Sequence, residues 1–142
     1  MSRAPRDVGS ASLELVIWAP MLLLVAAVIV LAGRIAQATQ AVEVAAAEAA
    51  RAASAAGTHA QATTRARSAA TAALSSAGLR CSSTSITVDT SEWSRPAGTP
   101  ARVSARIGCR LGLSDLSIPG VPGSKDVSAT ASSALDVYRV RS

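Results

Sequence analysis

From residue 15 to residue 33 the chain carries no charged side chain, and this run begins directly after a glutamate, Glu14. A hydrocarbon core ~30 Å thick is crossed by a helix of ~20 apolar residues, so the run has membrane-spanning length. It is longer than the apolar core of a cleaved secretory signal, and no small-x-small cleavage site directly follows it. A lone segment inside lipid must satisfy its own backbone N–H and C=O groups, which makes it a helix. Pro20 lies within the run, where a membrane helix tolerates proline with a local kink. The Glu14 carboxylate is costly in hydrocarbon unless it finds a partner. Failing a partner, it must snorkel to the interface of an ordinary signal anchor.

Arg3 and Arg6 precede the run with only Asp7 against them, whereas Arg34 follows it. The short basic end is the more concentrated, so the positive-inside rule places the N-terminus in the cytoplasm. The residues beyond the run are then extracytoplasmic, on a single-pass protein of the cytoplasmic membrane. A chain of 142 residues has room for one modest domain beyond this segment. With two Trp, one Tyr and no Phe, a large core of interdigitated aromatic side chains is not expected. The formal charge of +5 raises the question of nucleic acid. Arginines scattered over the whole length and a lack of aromatics for base stacking argue against that partner.

Past the apolar run, residues 35–79 are Ala-rich and free of proline, which predicts a helix continuing out of the membrane. Glu48 and Arg51, three apart, share a face of it. Gly57-Thr58-His59 is its weakest point, the place for a bend or a break. Gly78 fits a helix stop. Residues 80–142 change to period two. Ile86 and Val88 share a face in 85–90. Val103, Ala105, Ile107, Cys109 and Leu111 alternate with polar residues in 102–111, and Val127, Ala129, Ala131, Leu135 and Val137 do so in 127–137. Three strands joined by loops predict a small antiparallel meander with the latter part of the helix as cover. The fold class is therefore an α+β membrane protein. A long N-terminal helix, transmembrane in its first part (residues 10–34), precedes a small three-stranded antiparallel sheet. The second loop is unusually apolar, with Leu113, Leu116, Ile118 and Val121 beside Leu111. It either caps the sheet or meets a partner or the membrane surface.

Cys81 and Cys109 lie well beyond the membrane segment. Thiols outside the cytoplasm are oxidised, so export predicts a disulfide between them; otherwise they are two independent small buried residues. Catalytic patterns are lacking. His59 is the sole histidine, sits at the helix break and reads as solvated, with no Ser-His-acid or Cys-His arrangement around it. No metal-ligand spacing and no phosphate-binding glycine loop occurs, and Asp115 and Asp126 read as turn residues. The expectation is a protein without enzymatic activity, metal or cofactor.

The segment Gly9-Ser10-Ala11-Ser12-Leu13-Glu14, with a basic leader before it and an apolar run holding Pro20 and Met21-Leu22-Leu23-Leu24 after it, resembles the TadE-like family of pseudopilins, the minor pilins of tight-adherence pilus systems. Gly33-Arg34 and Ala45-Ala46-Ala47-Glu48-Ala49-Ala50-Arg51 are similar to the helix that comes after the membrane segment in that family. The resemblance covers residues 6–56, with Trp18 an unusual residue in the run and Leu15 where an aromatic often succeeds the glutamate. It implies a leader of residues 1–9, cut by prepilin peptidase between Gly9 and Ser10, and a pilin-like fold. It also implies partners: membrane lipid, the peptidase, other pilin-like subunits and the pilus assembly platform, either in the membrane or in a surface pilus. Cleavage would free the α-amine of Ser10 to pair with Glu14 of the same or a neighbouring subunit. The competing expectation is an unprocessed single-pass anchor displaying a small extracytoplasmic binding module.

Overall fold

The structure is a computed structural model that describes residues 10–112, 123–136 and 138, with residues 10–15 described by their backbone alone. The chain forms two compact units, residues 1–35 and 36–142. In order, the elements are α1 (Ser10–Ser54), α2 (His59–Ser76), β1 (Ser83–Asp89), a single 3-10 turn (Ser91–Ser94), β2 (Arg102–Gly112) and β3 (Ser124–Ala134). The expected architecture of a long apolar helix followed by a three-stranded antiparallel sheet is the one observed.

In the first unit, α1 runs through Pro20 without ending there. Every described side chain from Val16 to Val30 is exposed, with Val16 at 72% and Leu23 at 71%. This helix contains an apolar stretch long enough to cross a membrane, none of it buried.

The second unit holds the core, and α1 supplies one side of it with Ala38, Val42, Ala45, Ala46, Ala49, Ala50 and Ala53. These positions recur at three and four residues, the stripe a helix presents to a neighbour. At Gly57 the Ala-rich stretch breaks rather than bends. Thr58 has extended backbone (φ −134°, ψ 157°), and its hydroxyl accepts a hydrogen bond from the Gln61 N–H at 3.3 Å, capping α2. The new helix buries Ala62, Ala66, Ala70 and Leu74, one residue per turn. It ends where Gly78 takes φ +67° and the Leu79 N–H reaches back to the Leu74 carbonyl at 3.1 Å. That is the left-handed helix stop glycine permits without steric cost, and Leu74 and Leu79 both pack on the core there.

The sheet order is β1-β2-β3, antiparallel throughout, with an unbroken register from Arg102↔Ala134 to Gly112↔Ser124. Val103, Ala105, Ile107, Cys109 and Leu111 of β2 are buried, while Ile86 and Val88 of β1 and Ala129 and Ala131 of β3 pack against the same cluster half-buried. The helical residues 35–79 and the strands of 80–142 thus share one hydrophobic core.

Two strand boundaries differ from the alternation. β1 begins at Ser83, two residues before the apolar pattern does. β3 spans 124–134 instead of 127–137, because Lys125 and Asp126 extend the ladder opposite Leu111 and Arg110. At its other end the chain leaves the sheet after Ala134, and the Leu135 N–H bonds the Ala101 carbonyl at 2.9 Å. Val137 and the apolar loop residues Leu113, Leu116, Ile118 and Val121 lie outside the described residues, as does Asp115.

Candidate functional site

The sequence singles out three places: the Gly9–Glu14 segment, the cysteine pair and His59. Gly9 lies outside the described residues, as do the side chains of Ser10 and Glu14. The α-helix begins at Ser10, the residue after Gly9, and passes through Glu14 into the apolar stretch. In a helix, residues 10 and 14 stand one turn apart on the same side, with Cα atoms about 6 Å apart. An α-amine at Ser10 would therefore lie over the position of Glu14 in its own chain.

Cys81 and Cys109 form a disulfide with Cα atoms 5.3 Å apart, across 28 residues of sequence. Cys109 is buried on the core face of the central strand, and Cys81 is half-buried in the segment joining α2 to β1. The bridge ties the helix-to-sheet junction to the middle of the sheet. Closing a loop of this size adds about 2–4 kcal/mol of stability, a large share for a core whose largest fully buried side chains are Ile107, Val42 and Val103.

His59 is exposed at the first turn of α2, and its Nε2 is hydrogen-bonded to the Thr90 hydroxyl at 2.5 Å. The pair joins the start of α2 to the end of β1. Among the described residues there is no cluster of three or more His, Cys, Asp or Glu able to hold a metal ion. The shifted carboxylates are surface groups. Asp126 is held below the ordinary aspartate range mainly by the hydrogen bonds it accepts from Arg110, and Asp89 by one from the backbone of Ser91.

Two polar ties have no signal in the sequence pattern. Glu92 accepts a hydrogen bond from the Arg102 N–H at 2.7 Å and pairs with Arg95 at 3.1 Å, pinning the 3-10 turn to the start of β2. Ser54 and Ser133 share a hydrogen bond at 3.0 Å that joins the end of α1 to β3. The Glu92–Arg102 and Ser54–Ser133 bonds join residues that are 10 and 79 positions apart in sequence, and no local pattern announces them.

The residues that stand out are those of the N-terminal helix: a glycine, a helix starting behind it, a glutamate one turn later and an apolar length sufficient for a bilayer. Residues 9–51 match the family of TadE-like proteins. No curated protein and no solved structure matches the chain. The TadE-like stretch starts at the glycine itself and takes in all but the last three residues of α1. It contains Ser10, Glu14 and Pro20, and most of the residues of α1 that reach the core. The sheet, the disulfide and α2 fall outside the TadE-like match.

Proposed function

We propose that this chain is a non-enzymatic, pilin-like subunit of a tight-adherence pilus or a related secretion assembly, anchored by α1 in the cytoplasmic membrane. In this reading the N-terminus faces the cytoplasm, the unit of residues 36–142 lies outside, and prepilin peptidase cuts between Gly9 and Ser10. The observation that carries the proposal is the TadE-like match, which opens on Gly9 and runs along a helix long and apolar enough to span a bilayer.

The chemistry of the cut supports it. An ionised carboxylate at the mouth of a membrane helix is costly without a counter-charge. Peptide cleavage before Ser10 creates an ammonium group one turn away. The same pairing is available between neighbouring subunits, where it would set their axial register, and the buried pair would then serve specificity more than stability. The partners in this reading are membrane lipid, the peptidase, other pilin-like subunits and the assembly platform.

Mass spectrometry of the N-terminal peptide from membrane-extracted protein tests the proposal. A mature chain starting at Ser10 is the expected result. Persistence of residues 1–9 in a strain with active prepilin peptidase would leave the unprocessed membrane anchor as the better reading.

A further inference from the structure

The sheet face turned away from the helices carries no large apolar side chain among the described residues. Its central strand presents Arg102, Ser104, Arg106, Gly108 and Arg110 in alternation with the buried positions. At the level of Gly108 both neighbouring strands place a serine, Ser85 on β1 and Ser128 on β3. The result is a shallow trough of about 320 Å³ lined by Ser83, Ser85, Arg106, Arg110, Asp126 and Ser128. A Cβ at position 108 would meet the Ser85 hydroxyl oxygen at 2.5 Å, so a side chain there displaces that hydroxyl from the floor.

The two arginines at its ends differ. Asp126 holds Arg110 in a two-bond fork, Nε to Oδ1 at 2.8 Å and Nη2 to Oδ2 at 3.2 Å, which fixes that guanidinium. The Arg106 side chain makes no hydrogen bond or ion pair with any described residue and is exposed. Four residues along a strand separate the two by about 13 Å. A guanidinium is a planar fork matched to a carboxylate. The serine hydroxyls and the Asp126 carboxylate beside it suit a ligand rich in hydroxyl groups. The residues lining the trough include no aromatic side chain for a base to stack on, which argues against a nucleic acid.

We propose that this trough binds an acidic polysaccharide through one uronate-type carboxylate on Arg106, with neighbouring sugar hydroxyls on Ser85, Ser128 and Asp126. The proposal goes beyond the pilus reading and does not depend on processing at Gly9. Full-length protein in detergent micelles is titrated with polygalacturonate oligomers, with neutral dextran and duplex DNA as comparisons. Wild type is expected to bind polygalacturonate and not dextran. Arg106→Gln lowers that affinity at least tenfold with an unchanged unfolding midpoint, and Gly108→Ser, which fills the floor, lowers it likewise. Arg67→Gln, on the exposed side of α2, leaves it within twofold. Absence of polygalacturonate binding, an equal loss in Arg67→Gln, or tighter binding of DNA than of polygalacturonate would each overturn the assignment.

Discussion

Trp93 is the sole aromatic side chain among the described core residues, and its buried indole N–H has no hydrogen-bond partner among the described residues. An unmade bond of that kind costs about 1–3 kcal/mol, while the ring's apolar area stabilises. The two contributions can be separated. Trp93→Phe deletes the stranded donor and keeps most of the contact, so its unfolding free energy is expected to stay within about 1 kcal/mol of wild type. Trp93→Ala, which empties the site, is expected to cost about 3–5 kcal/mol. Denaturant titrations of the two variants in micelles check this, and an equal loss in both would mean that the indole N–H is bonded after all. Glu14 is the second residue at which a single substitution is informative. In the proposed membrane-anchored reading, Glu14→Ala removes a costly charge at the mouth of the span, so membrane insertion is expected to be undiminished. If the carboxylate pairs with the Ser10 amine of a neighbour, the variant loses co-purification with other pilin-like subunits; unchanged recovery of those subunits counts against the pairing.

At the level of elements, β2 is legible residue by residue because it is the central strand of a sheet with one covered face. Val103, Ala105, Ile107, Cys109 and Leu111 have to alternate, and all five are buried. β3 starts three residues before its apolar alternation does, because its first contacts with the sheet are made by Lys125 and Asp126. Their partners are Leu111 and Arg110 on another strand, and no local apolar pattern marks them. The break after α1 does have a local signal. Thr58 and Gln61 stand at the spacing of a capping box, and the hydroxyl of the first accepts from the N–H of the second. Gly57 alone leaves a bend and a break equally open. The candidate site is legible from Gly9 to Arg51 because membrane length, charge and helix propensity are all local properties. The trough on the sheet is not, since Ser85, Gly108 and Ser128 meet only once the register is set. The Arg110–Asp126 pair gives that register a pH dependence. Its carboxyl titrates below the ordinary aspartate value of 3.8 in the folded protein, with the hydrogen bonds from Arg110 the main cause. Its stabilisation is therefore fully present above that value and disappears as pH falls through the lower folded value. Thermal unfolding of wild type and Asp126→Asn is expected to differ by a small, salt-screened margin near neutrality and to converge in strong acid. A gap that persists at low pH would show that the substitution acts by some means other than the lost charge.

For the molecule as a whole, the division of labour between its two units comes from where apolar surface is buried. All of the described core residues lie between Ala38 and Leu135, whereas the described side chains from Val16 to Val30 are exposed without exception. A soluble protein seldom leaves a contiguous apolar patch above a few hundred Å² in water, so the first unit requires lipid or other helices. The described core of the second unit is closed on itself. That unit has its own hydrophobic cluster, a continuous sheet register and a disulfide that limits the freedom of its unfolded chain. A fragment beginning at Ala36, made in an oxidising compartment, is therefore expected to be soluble without detergent. It should contain the Cys81–Cys109 bridge and unfold in one cooperative transition that reduction moves to lower temperature. The full-length chain is expected to remain with the membrane pellet in alkaline carbonate and to partition into the detergent phase. Phase partitioning with free-thiol labelling, joined to a thermal scan with and without reductant, reads all of these outcomes. Were the fragment to need detergent, the stripe from Ala38 to Ala53 would depend on helix α1 being held in the bilayer, and the sheet could not be regarded as a self-sufficient extracytoplasmic module. A soluble, bridged fragment would instead fix the role of α1: its first part anchors, and its second part belongs to the core that the anchor carries.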